Sequence, residues 1–452
     1  MTTPTQPHHI VVVGAGFGGL AATRALARTD VRITIVDQRN VQTFQPLLYQ
    51  VATATLSADD VAADVRGLLR RQRNVRVRMG RVTGIDLEGK TVRLDDDTDL
   101  AFDSLLLAAG TVSNDFGISG VHAHGFALKS VEDATVLRNH VLRQIEDAAT
   151  TPTQPGTGRL TFVVAGAGPT GVEMAGALSE LVAQTRAEVP QLADVPARIV
   201  LVEPTGTVLP PYAPSTQAYT ERQLLARGVE LRLDASVRAV DAESVTLDDG
   251  EVIACRTLVW AGGVRAHPLA AALGVPLTRG ARVPVTDRLH LASHRDVFVI
   301  GDMAGPAGAA APLPQVAQVA IQMGAHAARV IRARLRGRSE PAFRYADRGQ
   351  MAIIGRGAGV AELARSMGGA RIRGPLGWLA WLALHLVYLP GAHNRAQVLV
   401  RWLAALVSPR GNARSILEPR RDAARAYQPS EPDLAASGAA DGRERDGWRR
   451  AA

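Results

Sequence analysis

Cysteine is almost absent: Cys255 is the single one in 452 residues. An internal disulfide, a CxxC redox pair and a four-thiolate metal site are therefore excluded. So is a dithiol relay that would pass electrons onward. Lysine is nearly as scarce. Lys90 and Lys129 are the only two among 51 basic residues, leaving 49 arginines. Genome base composition explains such a chain as readily as function does, so the net charge of +8 informs only through where it sits. No apolar run reaches 18 residues, and no helix is expected to span a bilayer. The polar start MTTPTQPHH runs directly into a strand, so no secretory leader is expected. The 11 histidines are scattered, with His8–His9 and His122/His124 the only close pairs; neither a metal cluster nor a Ser/His/Asp triad is expected. What remains is an ordinary folded composition, 46% apolar and 21% charged, long enough for two or three domains.

The strongest pattern is at the front. HIVVV (His9 to Val13) reads as a buried strand. It runs into Gly14-Ala15-Gly16-Phe17-Gly18-Gly19, a helical pattern follows, and the next strand, Val31 to Val36, ends in Asp37. The acid lies 18 residues beyond the last motif glycine. This is the dinucleotide-binding arrangement: Gly14 permits the tight turn, Gly16 admits a pyrophosphate, and Gly19 lets helix and strand pack closely. The helix N-terminus favours the phosphate charge, and Asp37 can accept ribose hydroxyls. The unit recurs. LTFVVA (Leu160 to Ala165) precedes Gly166-Ala167-Gly168-Pro169-Thr170-Gly171, the helix VEMAGALSELVAQT, and a strand ending in Glu203. Here the acid is 32 residues on, behind a longer helix and a turn-rich stretch.

Two such units imply two cofactors. A carboxylate at the ribose position repels a 2′-phosphate, so Glu203 favours NADH over NADPH. A flavin and a nicotinamide react directly by hydride transfer, which makes FAD and NADH the natural pair. A third strand, DVFVI (Asp296 to Ile300), enters Gly301-Asp302, suited to the ribityl or phosphate part of FAD. LLLAAGTVSN (Leu105 to Asn114) and TLVWAGGVRA (Thr257 to Ala266) look like crossings between two nucleotide domains. The expected fold is α/β, with two Rossmann-like domains and a C-terminal helical region. An FAD domain (1–114 and 281–332) is split by an NADH domain (115–280). A C-terminal domain (333–418) and a disordered tail (419–452) follow.

FQPLLYQVAT (Phe44 to Thr53), GPTGVE (Gly168 to Glu173), VIGDMA (Val299 to Ala304) and AQVAIQ (Ala317 to Gln322) together resemble the type II NADH dehydrogenases. Those are single-subunit, FAD-containing NADH:quinone oxidoreductases that do not pump protons. The resemblance runs from about Ile10 to Trp402. It implies FAD contacts at Gly14, Gly16, Phe17, Gly18, Gly19, Asp37 and Gln38. It adds Pro46 and Leu47 beside the ring, with Ala109, Gly110, Gly301, Asp302 and Ala317. It implies NADH contacts at Gly166, Gly168, Pro169, Thr170, Gly171, Glu203, Gly263 and Val264. Glu173 would contact the nicotinamide side of the flavin and support proton movement; on residue type alone it would only stabilise a helix dipole. Gln318 and Gln322 would line the quinone approach, on a helix that is also plainly amphipathic at Val316, Val319, Ala320 and Met323. The chain departs from the family at Ala54, often Gly, and at Ala261-Gly262-Gly263-Val264, usually Ala-Ala-Gly-Val. His267 stands where Ser commonly does, and Gln315 where Gly does. With only Cys255, disulfide reductases and sulfide:quinone oxidoreductases of related build are excluded.

A quinone acceptor, menaquinone or ubiquinone, requires a membrane contact. LGWLAWLALHLVYL (376–389) is about 21 Å long as a helix, short of the roughly 30 Å hydrocarbon core. AQVLVRWLAALV (396–407) follows, and Trp378, Trp381, Tyr388 and Trp402 suit the lipid–water boundary. From Arg371 to Arg414 there are six arginines, at 371, 373, 395, 401, 410 and 414, and no Asp, Glu or Lys. Such a segment can lie on an anionic membrane surface with arginines on head groups. Packing on the protein's own core or on a second copy as a homodimer stays open. Nucleic acid is not expected, since no reader motif accompanies the basic stretch. The expected place is the cytoplasmic face of the cell membrane, bound peripherally. A soluble FAD-dependent NADH reductase with another acceptor, or a slow flavoprotein sensor, remain the alternatives.

Overall fold

In a computed structural model, residues 7–150, 158–306, 312–407 and 414–416 are described. The near-continuous apolar runs become parallel strands buried on both faces, the expected outcome for such runs. The first sheet has the order Val297–Val299, Ser104–Leu107, His9–Val13, Arg32–Asp37, Val75–Met79, all parallel. The late strand thus joins a sheet built mainly from the first tenth to quarter of the chain. The second sheet has the order Gly125–Phe126, Thr257–Trp260, Thr161–Ala165, Arg198–Glu203, Val229–Leu233, again all parallel. Each glycine turn leaves the middle strand of its sheet. The two crossings pair with each other: Thr111–Ser113 runs antiparallel to Val264–Ala266, with Ser113 opposite Val264.

The helix after the first turn, Phe17–Ala25, packs on the late helix Ala317–Leu335. A methyl on Gly324 would lie 2.2 Å from the Gly18 carbonyl oxygen, so the helices touch backbone to backbone. That contact carries the N-terminus of the late helix to the first glycine turn. The second motif helix, Pro169–Glu188, is pressed equally hard by the strand Gln350–Gly355. A methyl on Gly176 would sit 1.9 Å from the Ile354 carbonyl oxygen.

That strand belongs to a small antiparallel sheet with Ala358–Glu362 and Arg371–Gly374. Two helices follow, Pro375–Tyr388 and Ala392–Val407. No helix among the described residues is long and apolar enough to cross a membrane. Trp381, Val398 and Trp402 belong to the same core as the second motif helix and the segment from Phe44 to Leu56. The outer sides of both helices are bare hydrocarbon: Leu376, Leu379, Val387, Val400 and Leu403 are all more than half exposed. Contacts gather the residues through Arg414 into one unit. The tail from 419 and Arg410 lie outside the described residues.

Candidate functional site

The two glycine turns have the same geometry. Gly14 and Gly166 hold φ of +100° and +98°. A methyl on Gly19 would lie 1.9 Å from the Gly14 carbonyl oxygen, and one on Gly171 would lie 1.7 Å from that of Gly166. Only glycine closes either turn. In front of Gly16 and Gly168 there is nothing within 4 Å of a would-be methyl. Both helix starts lack a side-chain cap and carry no acid in the first turn. Each is an open cradle of backbone N–H groups, which fits a pyrophosphate.

Both motif acids are at work inside the protein. Asp37 accepts the Ala15 N–H (2.7 Å) and the Arg39 N–H (2.9 Å). Burial raises its pKa, and those two donors oppose the rise. Glu203 accepts the Ala167 N–H (2.6 Å) and both the N–H and the hydroxyl of Thr205 (3.1 and 2.8 Å). Each carboxylate therefore braces its own glycine turn. Glu203, expected as a ribose reader, thus also holds its loop. Gln38, beside Asp37, is exposed, as are Pro169 and Thr170 at the second turn.

The remaining expected FAD residues gather around the first turn. Leu47 is fully buried and Pro46 half-buried in the short helix Gln45–Leu47. Ala109 and Gly110 are half-buried after the strand Ser104–Leu107. Gly301, at φ +67°, and Asp302 follow the late strand. Burial pushes the Asp302 carboxyl up, while Lys129 and Arg282 oppose that shift. Ala317 opens the late helix. Gly263 and Val264 lie on the paired crossings, where Gly263 O accepts the Asn114 N–H.

The two expected quinone-side glutamines are held in different ways. Gln322 spends both ends of its amide on one residue, donating to Ala346 O (2.9 Å) and accepting Ala346 N–H (3.0 Å). It pins the segment that leads to the C-terminal sheet. Gln318 donates to Gly349 O (2.9 Å), while its buried Oε1 pairs with no protein atom. That acceptor is the one polar end of the pair left for a ligand.

Glu173 is buried one turn into the second motif helix, and both of its hydrogen bonds come from the C-terminal part of the chain. Its Oε1 accepts the Trp381 indole N–H (3.1 Å) and the Ile353 backbone N–H (3.3 Å). Burial pushes its pKa up to about 8, and the two donors only moderate the rise. Near neutral pH this carboxyl carries a proton that it can give up, the condition for a proton donor and acceptor. The Trp381 ring stacks on His385, 3.8 Å between centroids. Burial drops His385 to about 4, so the imidazole is neutral. Tyr49 lies edge-on to Trp381 at 6.2 Å.

Sequence reasoning missed how the last helices are fastened. Trp402 donates its indole N–H to Gln50 Oε1 (2.8 Å), and Gln50 donates to the Tyr49 hydroxyl (2.9 Å). Arg401 pairs with the buried Asp60 (2.8 Å) and donates to Ser57 (3.0 Å). Asn394 donates to Asp59 O (2.7 Å). These residues fall at i, i+7 and i+8 on one helical face, which was the only local signal available. Two arginines of the acid-free stretch thus find acids elsewhere. Arg401 pairs with Asp60, Arg414 with Glu188, and Arg373 donates to Ser215 O. Arg371, Arg373 and Arg395 are exposed, and Arg395 donates to Leu389 O.

The departures also have physical explanations. His267 caps the turn Pro268–Leu273 through its ring nitrogen, accepting the Leu269 N–H, as a serine would. Gln315 donates to Asp302 O. Ala54 is held at φ +59°, where a glycine would be unstrained. Cys255 is buried, and burial pushes its thiol up to about 11, so it is unreactive.

A family model described as pyridine nucleotide-disulphide oxidoreductase matches residues 8–324. The chain is similar to the type II NADH:quinone oxidoreductase NdhA of Mycobacterium tuberculosis, 41% identical over 413 residues that cover 87% of this chain and 86% of that protein. It is 38% identical to the type II NADH:quinone oxidoreductase Ndh of the same organism, over 90% of each. Among solved structures, its fold is similar to NDH2 from Plasmodium falciparum in complex with NADH: the TM-score is 0.82 at 18% identity, covering 91% of this chain and 100% of that one.

Proposed function

The chain belongs to the type II NADH:quinone oxidoreductases, within the pyridine nucleotide-disulphide oxidoreductase family, and from that premise we propose how its parts divide the work. The protein is an FAD-dependent enzyme that oxidises NADH and reduces a quinone without pumping protons. Bound FAD supplies the hydride acceptor and the two-electron donor that join the two substrates.

The first turn, Gly14 to Gly19, holds the FAD pyrophosphate, with Asp37 fixing the loop and meeting the ribose. Gly301, Asp302 and the start of the late helix at Ala317 hold the rest, and Pro46 and Leu47 flank the ring. The second turn, Gly166 to Gly171, holds NADH, with Glu203, Gly263 and Val264 beside it. The observation that carries this reading is the pair of matched cradles, each with open space before its second glycine. Sheet membership supports a discontinuous FAD domain (1–114 and 281–332) around an NADH domain (115–280). Glu173 and Gln318 Oε1 serve the quinone side. The last two helices rest on an anionic membrane surface, their exposed leucines and valines in the interface, at the cytoplasmic face where NADH is formed. Burying each such side chain contributes about 1.5–3 kcal/mol. A second copy of the chain is the competing cover for that face.

Anaerobic NADH should bleach the purified flavoprotein, and a menaquinone or ubiquinone analogue should restore its colour. Failure of recovery would remove quinone as the acceptor. Truncation before Gly374 is a poor membrane test, because it also strips Trp381 from Glu173. Replacing Leu376, Leu379 and Val387 with glutamate leaves the core alone. It should abolish binding to anionic vesicles; retained binding would clear these helices of the role.

A further inference from the structure

The C-terminal helices present hydrocarbon, and two arginines of their stretch are spent on acids of the protein itself. A denser run of positive charge lies far from them in sequence. Residues 65–81, VRGLLRRQRNVRVRMGR, hold seven arginines and no acid. Arg78 pairs with Asp96, and Arg81 is half-buried. The other five, Arg66, Arg70, Arg71, Arg73 and Arg76, are exposed, and none forms an ion pair among the described residues.

The segment is held firmly from within. The amides set among the arginines turn inward: Gln72 donates to Thr23 O (2.9 Å), and Asn74 donates to Leu26 O and Thr29 O (3.1 Å each). Asp64 caps the short helix Val65–Leu69, accepting the Gly67 N–H (2.7 Å). Leu69 is buried, and Arg76 stands on Val75–Met79, the edge strand of the first sheet. The guanidinium groups thus project from a fixed frame, so little backbone order has to be gained when they meet an anion. A groove of about 450 Å³ opens among Arg66, Arg70, Gln72 and Arg76. Guanidinium groups grip a phosphate through paired N–H donors, and an anion there relieves the repulsion between them.

Two observations say which anion. The basic face adjoins the apolar helices. Asn394, on the last helix, donates to Ala62 O (3.3 Å), four residues before Arg66. Arg24, beside the Thr23 that Gln72 holds, has its pKa lowered by burial and by the charge of Arg395. The last helix then exposes Leu399, Val400 and Leu403. Second, residues 65–81 contain no Phe, Tyr or Trp, so they offer no platform on which bases could stack. Phosphate fixed in a layer beside hydrocarbon satisfies the arginines and the exposed leucines together. Nucleic acid or free phosphate satisfies the arginines alone.

We propose that Arg66, Arg70 and Arg76 form a binding site for the phosphodiester head group of an anionic lipid, so that the edge of the first sheet bears on the membrane together with the last two helices. Arg71 and Arg73 add attraction at longer range. The inference rests on the membrane reading above.

The test uses the flavin-loaded full chain and sedimentation with vesicles of phosphatidylcholine, with and without phosphatidylglycerol. Arg66→Gln with Arg70→Gln removes two charges from the groove. Arg222→Gln with Arg238→Gln removes two exposed charges from the second nucleotide domain. The groove variant should bind phosphatidylglycerol vesicles roughly 30-fold more weakly, while the other variant matches the parent and all three bind pure phosphatidylcholine alike. In the parent, backbone N–H groups of 66–76 should exchange into D₂O more slowly once phosphatidylglycerol vesicles are bound. Equal weakening in both variants would reduce the attraction to net charge and overturn the proposal. So would unchanged exchange at 66–76, displacement by glycerol phosphate at fixed ionic strength, or tighter retention of single-stranded DNA than of vesicles. If the parent binds neither kind of vesicle, the membrane reading fails and this site with it. If the parent and the groove variant bind both kinds equally, the helices suffice and only this site falls.

Discussion

Replacing Glu173 with glutamine should change how stability depends on pH, in a direction the structure dictates. The carboxyl titrates near 8 in the folded chain against an ordinary 4.5. Between those values the folded state holds one more proton than the unfolded state. Unfolding free energy therefore falls as pH rises, by about 1.4 kcal/mol per unit from this group alone. The contribution is complete below 4.5 and is gone above about 8. Glutamine copies the protonated acid: its carbonyl oxygen can still accept from Trp381 and Ile353, and it carries no proton to lose. The groups facing the site are Tyr49, Tyr212, Glu180 and, behind Trp381, the neutral His385; all are present in both proteins and cancel in the difference. From pH 5.5 to 7.5 the glutamine variant should gain on the parent by about 3 kcal/mol. Urea unfolding at fixed flavin concentration, followed by tryptophan fluorescence at three pH values, measures that divergence. Parallel stabilities across the range would mean that Glu173 is already ionised at neutral pH, and the proton-carrier role would go with it.

The two glycine turns predict separable losses. Gly19→Ala should prevent flavin retention, whereas Gly171→Ala should keep flavin and its colour but abolish reduction by NADH, since each methyl meets a carbonyl oxygen within 2 Å. Absorbance and anaerobic NADH titration decide; the reverse pattern would exchange the cofactor assignments. Arg401→Met should destabilise by about 2–3 kcal/mol, less than the 3–5 of an enclosed pair because Arg401 keeps 29% exposure while Asp60 keeps 1%. Adding Asp60→Asn should recover most of it, and a double-mutant cycle with no coupling would discount the pair. Ala54→Gly should raise stability by about 0.5–1 kcal/mol, the relief of a left-handed alanine less the flexibility gained on unfolding. A lower melting temperature would contradict that reasoning.

The parts legible in the sequence were those whose signal is local. A glycine turn between strand and helix declares itself within about thirty residues, and both appeared where expected, as did the two C-terminal helices. The element ends moved by a few residues, as with Arg32–Asp37 for the second strand. What stayed hidden was partnership. Glu173 and Trp381 are 208 residues apart, and Trp402 and Gln50 are 352 apart. Nothing in the periodicity of 376–389 tells that one of its tryptophans faces a carboxylate while Leu376, Leu379 and Leu384 face outward. For the same reason Arg401 and Arg414 of the acid-free stretch looked unpaired: their acids lie in other segments of the chain. Gln322 is a further hidden partnership: its amide is held by the Ala346 backbone, which its motif does not announce.

The way the chain's last helices clasp its first quarter has a consequence for synthesis. Asn394, Arg401 and Trp402 seat on residues 50–62, and Glu173 receives both of its donors from residues after 350. A nascent chain can close both nucleotide sheets, which need nothing beyond Val299, long before that clasp exists. Before residues 353–401 are made, Glu173 lacks both of its donors and Asp60 lacks its arginine. Addition of the helices Pro375–Tyr388 and Ala392–Val407 is what encloses the buried carboxyl, and the same step creates the exposed apolar surface proposed to meet the membrane. Chemistry and location become available together.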